Sequence, residues 1–309
     1  MKILVTPTSL GPTSQQPAMA RLRAAADEIV FNETGAPLKA DQLIPLLQDV
    51  DGVVAGLDDY TAEVIEGAGP RLKVISRYGV GSDRVDLAAA KARDIVVKVT
   101  PGANAVAVAE LALGLMFGLA RHIPALNRAV HQGEWPRSVG MELTGKTLGV
   151  VGVGAIGLAL AKRAEGLNMK VLGHDPVVDD ATLLAAGITP SSLADLLAGS
   201  DVVSLHVPLM DSTRHMIDAA AIASMKKGAL LINTARGGLI DEAAAYEALK
   251  SGQLGGLALD AYEVEPPVGS PLFELDNVIA TPHTGAHTAE ATENMANMAV
   301  DNLLAVLDG

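Results

Sequence analysis

The stretch Thr147-Leu148-Gly149-Val150-Val151-Gly152-Val153-Gly154-Ala155-Ile156-Gly157 decides how this chain folds. Its first five residues form a short apolar run, as expected of a strand buried on both faces. Three glycines follow in the spacing G-x-G-x-x-G, and a helical pattern continues from Ala155 to Glu165. The next strand-like run, Lys170 to Gly173, ends at His174-Asp175. The glycines alone are a weak signal. Strand, glycine turn, helix and a second strand closed by a carboxylate together make a dinucleotide-binding fingerprint. Gly152 makes the tight turn, Gly154 lets the backbone approach a pyrophosphate, and Gly157 lets the helix pack closely on the strand. The helix start at Ala155 and Ile156 adds N–H groups and a positive dipole end for the phosphates. Asp175 stands where a carboxylate takes the ribose hydroxyls of NAD and repels the 2′-phosphate of NADP. No Arg or Lys follows in Pro176 to Asp179 to offset that repulsion.

Strand and helix signals alternate on both sides of this stretch. Ahead of it lie strand-like runs at Lys2–Thr6, Gly52–Ala55, Leu72–Ser76 and Ile95–Lys98, with helical patterns at Asp41–Gln48, Thr61–Gly67 and Asp86–Ala92. Behind it lie runs at Val202–Leu205, Ala229–Asn233, Leu257–Asp260 and Val278–Thr281, then a helical segment from Thr288 to Leu307. Such alternation predicts parallel sheets joined by right-handed crossovers. Each half reads as its own α/β domain. The Pro-Gly break at Thr100-Pro101-Gly102 is the natural boundary.

Composition narrows the partners. The chain has 309 residues, a formal net charge of −13, 3% aromatic residues and no cysteine. An acidic surface argues against nucleic-acid and anionic-membrane partners, which call for basic patches. It leaves room for a small anionic substrate caught by a local Arg. The lack of cysteine excludes disulfides and Cys-held metal sites and fits a reducing cytoplasm. Met1 to Thr6 reads as a strand, not as the start of a signal peptide. Ala103 to Ala120 is apolar enough to resemble a membrane span. It contains Asn104 and Glu110 and is rich in Ala and Gly, so a buried helix is expected. Val130 to Leu143, with Trp135, fits neither rhythm and reads as a subunit arm or a long surface loop.

In open α/β sheets, ligands sit beyond the carboxyl ends of the strands. Thr234-Ala235-Arg236 follows Ala229–Asn233, Ala261 to Pro267 follows Leu257–Asp260, and Pro282-His283-Thr284-Gly285 follows Val278–Thr281. An Arg, a Glu and a His thus reach one edge. Reduction of a 2-keto acid needs a cation on the carboxylate and carbonyl, for which the planar fork of Arg236 suits. It needs a proton donor to the forming alkoxide, for which His283 suits. It also needs a group that orients the imidazole and favours its cationic form, for which Glu265 suits. His287 lies further from the strand end and is the weaker histidine.

These motifs resemble the D-isomer-specific 2-hydroxyacid dehydrogenases, in particular short forms related to phosphoglycerate dehydrogenase. Matching stretches run in order along nearly the whole chain: Ser76 to Asp83, Val108 to Gly114, Gly152 to Gly157, Asn233 to Asp241, Asp260 to Pro267 and Thr281 to His283. The resemblance implies two Rossmann-like domains with an active-site cleft between them. The NAD-binding domain would be 101–285, and the substrate domain 1–100 completed by 286–309. It implies Arg236, Glu265 and His283 as the catalytic set, with Val80 and Gly81 holding the substrate carboxylate, Asn104 nearby and Arg77 in the place of a substrate cation. It implies that Asp260 contacts the nicotinamide amide and that His206, Val207 and Pro208 flank the cofactor, with Thr234, Ala235, Arg236, His283 and Gly285 along the same site. It also implies a homodimer, with Val130 to Leu143 as the subunit arm. The implied reaction interconverts a (2R)-hydroxy acid and its 2-keto acid with NAD, and the substrate candidates are phosphoglycerate, hydroxypyruvate and glyoxylate. One departure is that Ala55-Gly56-Leu57-Asp58-Asp59 lacks a further cation for a substrate phosphate. The rivals are an NAD-sensing, corepressor-like binding protein and a formate- or phosphite-type dehydrogenase.

Overall fold

The structure, a computed structural model, describes residues 1–309 and divides into two compact units. The first comprises Met1–Asn104 and His287–Gly309, the second Ala105–Ala286.

In the first unit β1 (Lys2–Val5), α1 (Pro17–Ala25), β2 (Glu28–Phe31), α2 (Ala40–Leu46), β3 (Gly52–Ala55), α3 (Ala62–Gly67), β4 (Val74–Arg77), α4 (Leu87–Ala92) and β5 (Val96–Lys98) follow one another. The strands pair in parallel in the order β2-β1-β3-β4-β5. Side-chain alternation splits the apolar residues between two faces. Leu4, Val53 and Ile75 pack against α2, α3 and α4, whereas Ile3, Val5, Val54 and Val74 pack against α1 and the C-terminal helix Ala289–Leu307. That helix buries a row of mostly small residues, Ala291, Met295, Ala296, Ala299, Val300 and Leu303. The Ser76 hydroxyl donates to its Ala299 carbonyl at 2.7 Å, and the Tyr78 hydroxyl to Thr292 O at 3.1 Å.

Two elements of this unit escape the sequence pattern. Strand β2 is an edge strand in which only one side is covered, and Glu28 is exposed, so its apolar signal is short. Helix α1 starts on Pro17, which needs no backbone N–H there, and its Arg-Ala composition gives little amphipathic contrast.

The second unit continues with α5 (Ala105–Ala120), α6 (Ile123–His131), β6 (Thr147–Val151), α7 (Ala155–Glu165), β7 (Lys170–His174), α8 (Asp180–Ala185), β8 (Thr189–Pro190), α9 (Leu193–Gly199), β9 (Val202–Leu205), α10 (Ala219–Ser224), β10 (Ala229–Asn233), α11 (Glu242–Ser251), β11 (Leu254–Leu259) and β12 (Val278–Ala280). Its seven strands are all parallel, in the order β12-β11-β10-β9-β6-β7-β8. The chain leaves β6 in one direction and returns to its other side at β9, which puts the topological switch point between them. Strand β11 starts at Leu254, before the expected Leu257, because the pair Gly255-Gly256 lies inside the strand and is no break. Helix α5 is the apolar stretch that resembles a membrane span. Ten of its residues, Ala109 and Met116 among them, are buried, and it packs on α7 and on β10 to β12. No single helix is long and apolar enough to cross a membrane.

Candidate active site

The edge of the second sheet at the carboxyl ends of its strands collects the polar residues. At the end of β6, Gly152 has φ +89°, and a side chain there would meet the His206 backbone at 2.7 Å. Gly157 is held so close to the turn that a Cβ would lie 2.2 Å from the Gly152 carbonyl oxygen. Gly154, by contrast, faces open space, with nothing within 4 Å of the position of its absent Cβ. It is also the N-cap of α7, with no side chain capping the first turn at Ala155 and Ile156. A cradle with one closed side, one open side and an uncapped helix start fits a pyrophosphate.

Asp175 follows β7 directly. Its carboxylate accepts the Val153 N–H at 2.8 Å, and the N–H groups of Val177 and Val178 at 2.8 and 3.2 Å. Burial pushes its pKa up, but the hydrogen bonds from Val177, Val153 and Val178 outweigh it and hold the group below the usual carboxylate value. The residue is therefore an anion that also pins the glycine turn. At the end of β9 the Nε2 of His206 lies 2.9 Å from the Ser204 hydroxyl, and its Nδ1 is buried without a partner. Burial lowers the His206 pKa to about 4, so the ring is neutral at physiological pH. Val207 packs beside Gly152, and Pro208 O accepts the Thr213 hydroxyl. The Thr234 hydroxyl, past β10, is a second buried polar atom with no partner. Orphaned polar atoms of this kind, past the ends of β9 and β10 on the same sheet edge, fit a bound group that would complete them.

Arg236 is set by the turn after β10. The fully buried Asn233 donates to Arg236 O at 2.7 Å and accepts the Ala235 N–H at 3.0 Å. The Arg236 guanidinium in turn donates to Ala235 O at 2.7 Å. His283 stands past β12 in the left-handed region, at φ +50°. Its Nδ1 lies 2.9 and 3.1 Å from the two carboxylate oxygens of Glu265. Glu265 thereby fixes the ring through Nδ1 and does not engage Nε2.

Asp260, expected at the nicotinamide amide, lies at the end of β11 under the loop that carries His283. It is 1% exposed, and its carboxylate accepts the Thr281 hydroxyl at 2.6 Å and the N–H groups of Thr284 and Gly285 at 2.8 Å each. Both oxygens accept from the loop that carries His283, because three donors converge where that loop leaves the sheet. Asn233 and Thr281 are further bracing residues absent from the sequence-derived set. The signal that could have found them is a polar residue at or just past the end of an otherwise apolar strand.

The remaining predicted residues belong to the first unit. Val80 is exposed in the loop after β4, and Asn104 is buried with its Oδ1 unpartnered. Arg77, expected as a substrate cation, is the last residue of β4. It is 2% exposed, and its guanidinium donates to Gly81 O at 3.2 Å and Ala55 O at 3.4 Å. It thereby ties the turn after β4 to the end of β3. His287 is exposed and also belongs to the first unit.

Residues 113–285 match the description of the D-isomer specific 2-hydroxyacid dehydrogenase, NAD binding domain. The chain is 45% identical over 276 residues to the hydroxypyruvate reductase of Thermotoga maritima, covering 87% of this chain and 89% of that protein. It is 43% identical over 287 residues to the D-3-phosphoglycerate dehydrogenase of Methanocaldococcus jannaschii, covering 92% of this chain but only 55% of that protein. Among solved structures, the TT0316 protein of Thermus thermophilus superposes with a TM-score of 0.89 at 39% identity, covering 100% of this chain and 97% of that one. The matched region and the glycine cradle define an NAD binding domain. The chain belongs to the D-isomer specific 2-hydroxyacid dehydrogenase family.

Proposed function

We propose that this protein catalyses reversible, NAD-linked interconversion of a (2R)-hydroxy acid and its 2-keto acid, with Arg236, Glu265 and His283 as catalytic residues. The observation that carries this reading is the His283–Glu265 pair at 2.9 Å on the strand-end edge that also bears Arg236 and the glycine cradle. NAD, when bound, supplies the two-electron hydride chemistry. Arg236 binds the carboxylate and polarises the carbonyl with its fork of donors. In the reductive direction His283 gives the proton on Nε2 to the oxygen that becomes the hydroxyl, and in the oxidative direction Nε2 takes it back. Glu265 holds Nδ1 throughout and stabilises the imidazolium. Gly152, Gly154, Ala155, Ile156, Gly157, Asp175, His206, Val207, Pro208, Thr234, Ala235, Asp260 and Gly285, with Arg236 and His283, hold the cofactor, and Asp175 favours NAD over NADP by repelling a 2′-phosphate. Val80, Gly81 and Asn104 serve the substrate carboxylate, and Arg77 ties down the turn that carries Val80 and Gly81.

The preferred substrate is a short, unphosphorylated 2-keto acid such as hydroxypyruvate or glyoxylate. The loop after β3 carries no cation, its Asp58 is buried, its Asp59 holds Arg84 at 2.8 Å, and Arg77 is buried against the Gly81 and Ala55 carbonyls. The protein works as a cytoplasmic homodimer. The exposed Trp135 and Val139, beside Ile123 and Val130 on α6, form an apolar arm suited to a second copy. The decisive test is NADH oxidation with hydroxypyruvate, glyoxylate and phosphohydroxypyruvate, repeated with Arg236→Ala and His283→Ala. Both variants are expected to lose most turnover while still binding NADH, and full activity in the His283 variant would overturn the assignment.

A further inference from the structure

The loop Ala261 to Pro267 carries Glu265, and the position of that carboxylate depends on how the loop is tied down. On its inner side Tyr262 is buried, and its hydroxyl donates to Thr281 O at 2.8 Å and Leu259 O at 3.1 Å. On its outer side the next residue is held by a reciprocal tie. The Glu263 N–H donates to Glu242 Oε1 at 2.8 Å, while the Glu242 N–H donates to Glu263 Oε1 at 3.3 Å. The same Glu263 oxygen pairs with His215 Nε2 at 3.0 Å.

This tie joins the loop of Glu265 to the turn of Arg236. The His215 N–H donates to Gly238 O at 2.8 Å, just past Arg236. Between them, Gly237 has no room for a side chain, since a Cβ would fall 1.8 Å from the Tyr262 carbonyl carbon and 2.2 Å from the Glu263 nitrogen. Turn and loop therefore press together backbone to backbone. Two carboxylates meet there at a cost. Burial raises the pKa of Glu242, the Glu263 N–H lowers it, and the Glu263 charge raises it again, for a net rise above the ordinary carboxylate value. The start of α11 does not need Glu242 as its cap, because Asp241 already accepts the Ala244 N–H at 2.9 Å. What Glu242 adds is a grip on the loop.

We infer that Glu242 is a positioning residue for the proton-transfer pair: by holding the Glu263 N–H it keeps the Glu265 loop against the Arg236 turn, so that Glu265 stays on His283 Nδ1. This rests on the reading of Glu265 and His283 given under the proposed function. A loose loop misplaces Glu265 without touching the NAD cradle, so the effect falls on turnover. Misplacement of a catalytic group by about 1 Å costs on the order of 10²-fold.

The test is steady-state reduction of hydroxypyruvate by the full-length protein, with NADH affinity read from quenching of its fluorescence. Glu242→Ala is expected to lower kcat by roughly tenfold to 10²-fold with the NADH dissociation constant unchanged. Glu242→Gln keeps an acceptor oxygen and is expected to restore kcat to within about twofold of the parent. Should the alanine variant fail to fold, Glu242→Asp withdraws the acceptor by one methylene while keeping charge and helix start, and gives the same split. A parental kcat in the alanine or aspartate variant overturns the inference, as does a glutamine variant as slow as the alanine one. His283→Ala, run alongside, separates the two readings. An active His283 variant sinks the proposed mechanism, whereas a dead His283 variant beside a fast Glu242→Ala sinks only the role of Glu242.

Discussion

Asp260→Asn is the most informative single change in this protein. The native carboxylate accepts three hydrogen bonds in a site 1% exposed, from the Thr281 hydroxyl and the N–H groups of Thr284 and Gly285. Asparagine offers one acceptor oxygen and one donor nitrogen in the same volume. Placed to satisfy Thr281 and Thr284, its oxygen leaves the amide nitrogen facing the Gly285 N–H, donor against donor. The loss of one charge-assisted bond and the burial of an unpaired N–H amount to about 2–4 kcal/mol. The loop 281–285 can relieve that by shifting, and His283 shifts with it. Because a misplacement of about 1 Å costs on the order of 10²-fold, kcat for hydroxypyruvate should fall by roughly that factor. NADH binding should weaken less than kcat falls, since Gly285 belongs to the proposed cofactor site but the cradle around Gly152 and Asp175 lies on β6 and β7. Stopped-flow NADH oxidation, fluorescence titration and urea unfolding together measure the three quantities. Parental kcat and parental stability in the Asp260→Asn variant would show that the carboxylate does not hold the histidine loop.

Three further expectations follow from the geometry. Asp175→Ala removes an anion held below its usual pKa, and the ratio of kcat/KM for NADH over NADPH should drop at least about tenfold, or roughly 1.4 kcal/mol; an unchanged ratio would remove Asp175 from cofactor choice. Gly157→Ala places a Cβ 2.2 Å from the Gly152 carbonyl oxygen and should cost about 1–3 kcal/mol in unfolding free energy together with NADH affinity, read by denaturation and by titration. His206 has a pKa lowered to about 4, so the unfolded chain binds the proton more readily and stability falls as the pH drops below about 6.5. Between pH 7.5 and 5 this group alone should remove about 2 kcal/mol, and His206→Asn should shrink that loss; an equal loss in the variant would assign the acid sensitivity elsewhere.

Much of the fold was legible in the chain because buried parallel strands need continuous apolar runs. The strands Thr147–Val151, Val202–Leu205 and Ala229–Asn233 and the helix Ala155–Glu165 have the bounds that their patterns predict. Edge elements were not legible, since β2 and the two-residue β8 carry little apolar signal where only one neighbour covers them. The glycine cradle and Asp175 could be read because their spacing lies within one local strand–turn–helix–strand unit.

What the amino-acid order determined was therefore the class of fold, the cofactor site and which polar residues stand at strand ends. Tertiary structure decided what those residues touch. Asp260 and Arg77 look alike in sequence to Glu265 and Arg236, as charged residues at the end of a strand or in the loop that follows it. Only the fold shows that Asp260 braces the His283 loop and that Arg77 braces the turn after β4, while Glu265 meets His283. Glu242 and Glu263 carry no signal at all until α11 and the loop after β11 place each carboxylate on the other's backbone. The physical reason is that local spacing sets strands, turns and caps within a few residues. The partner of a buried charge is chosen by crossovers that bring together segments far apart in the chain.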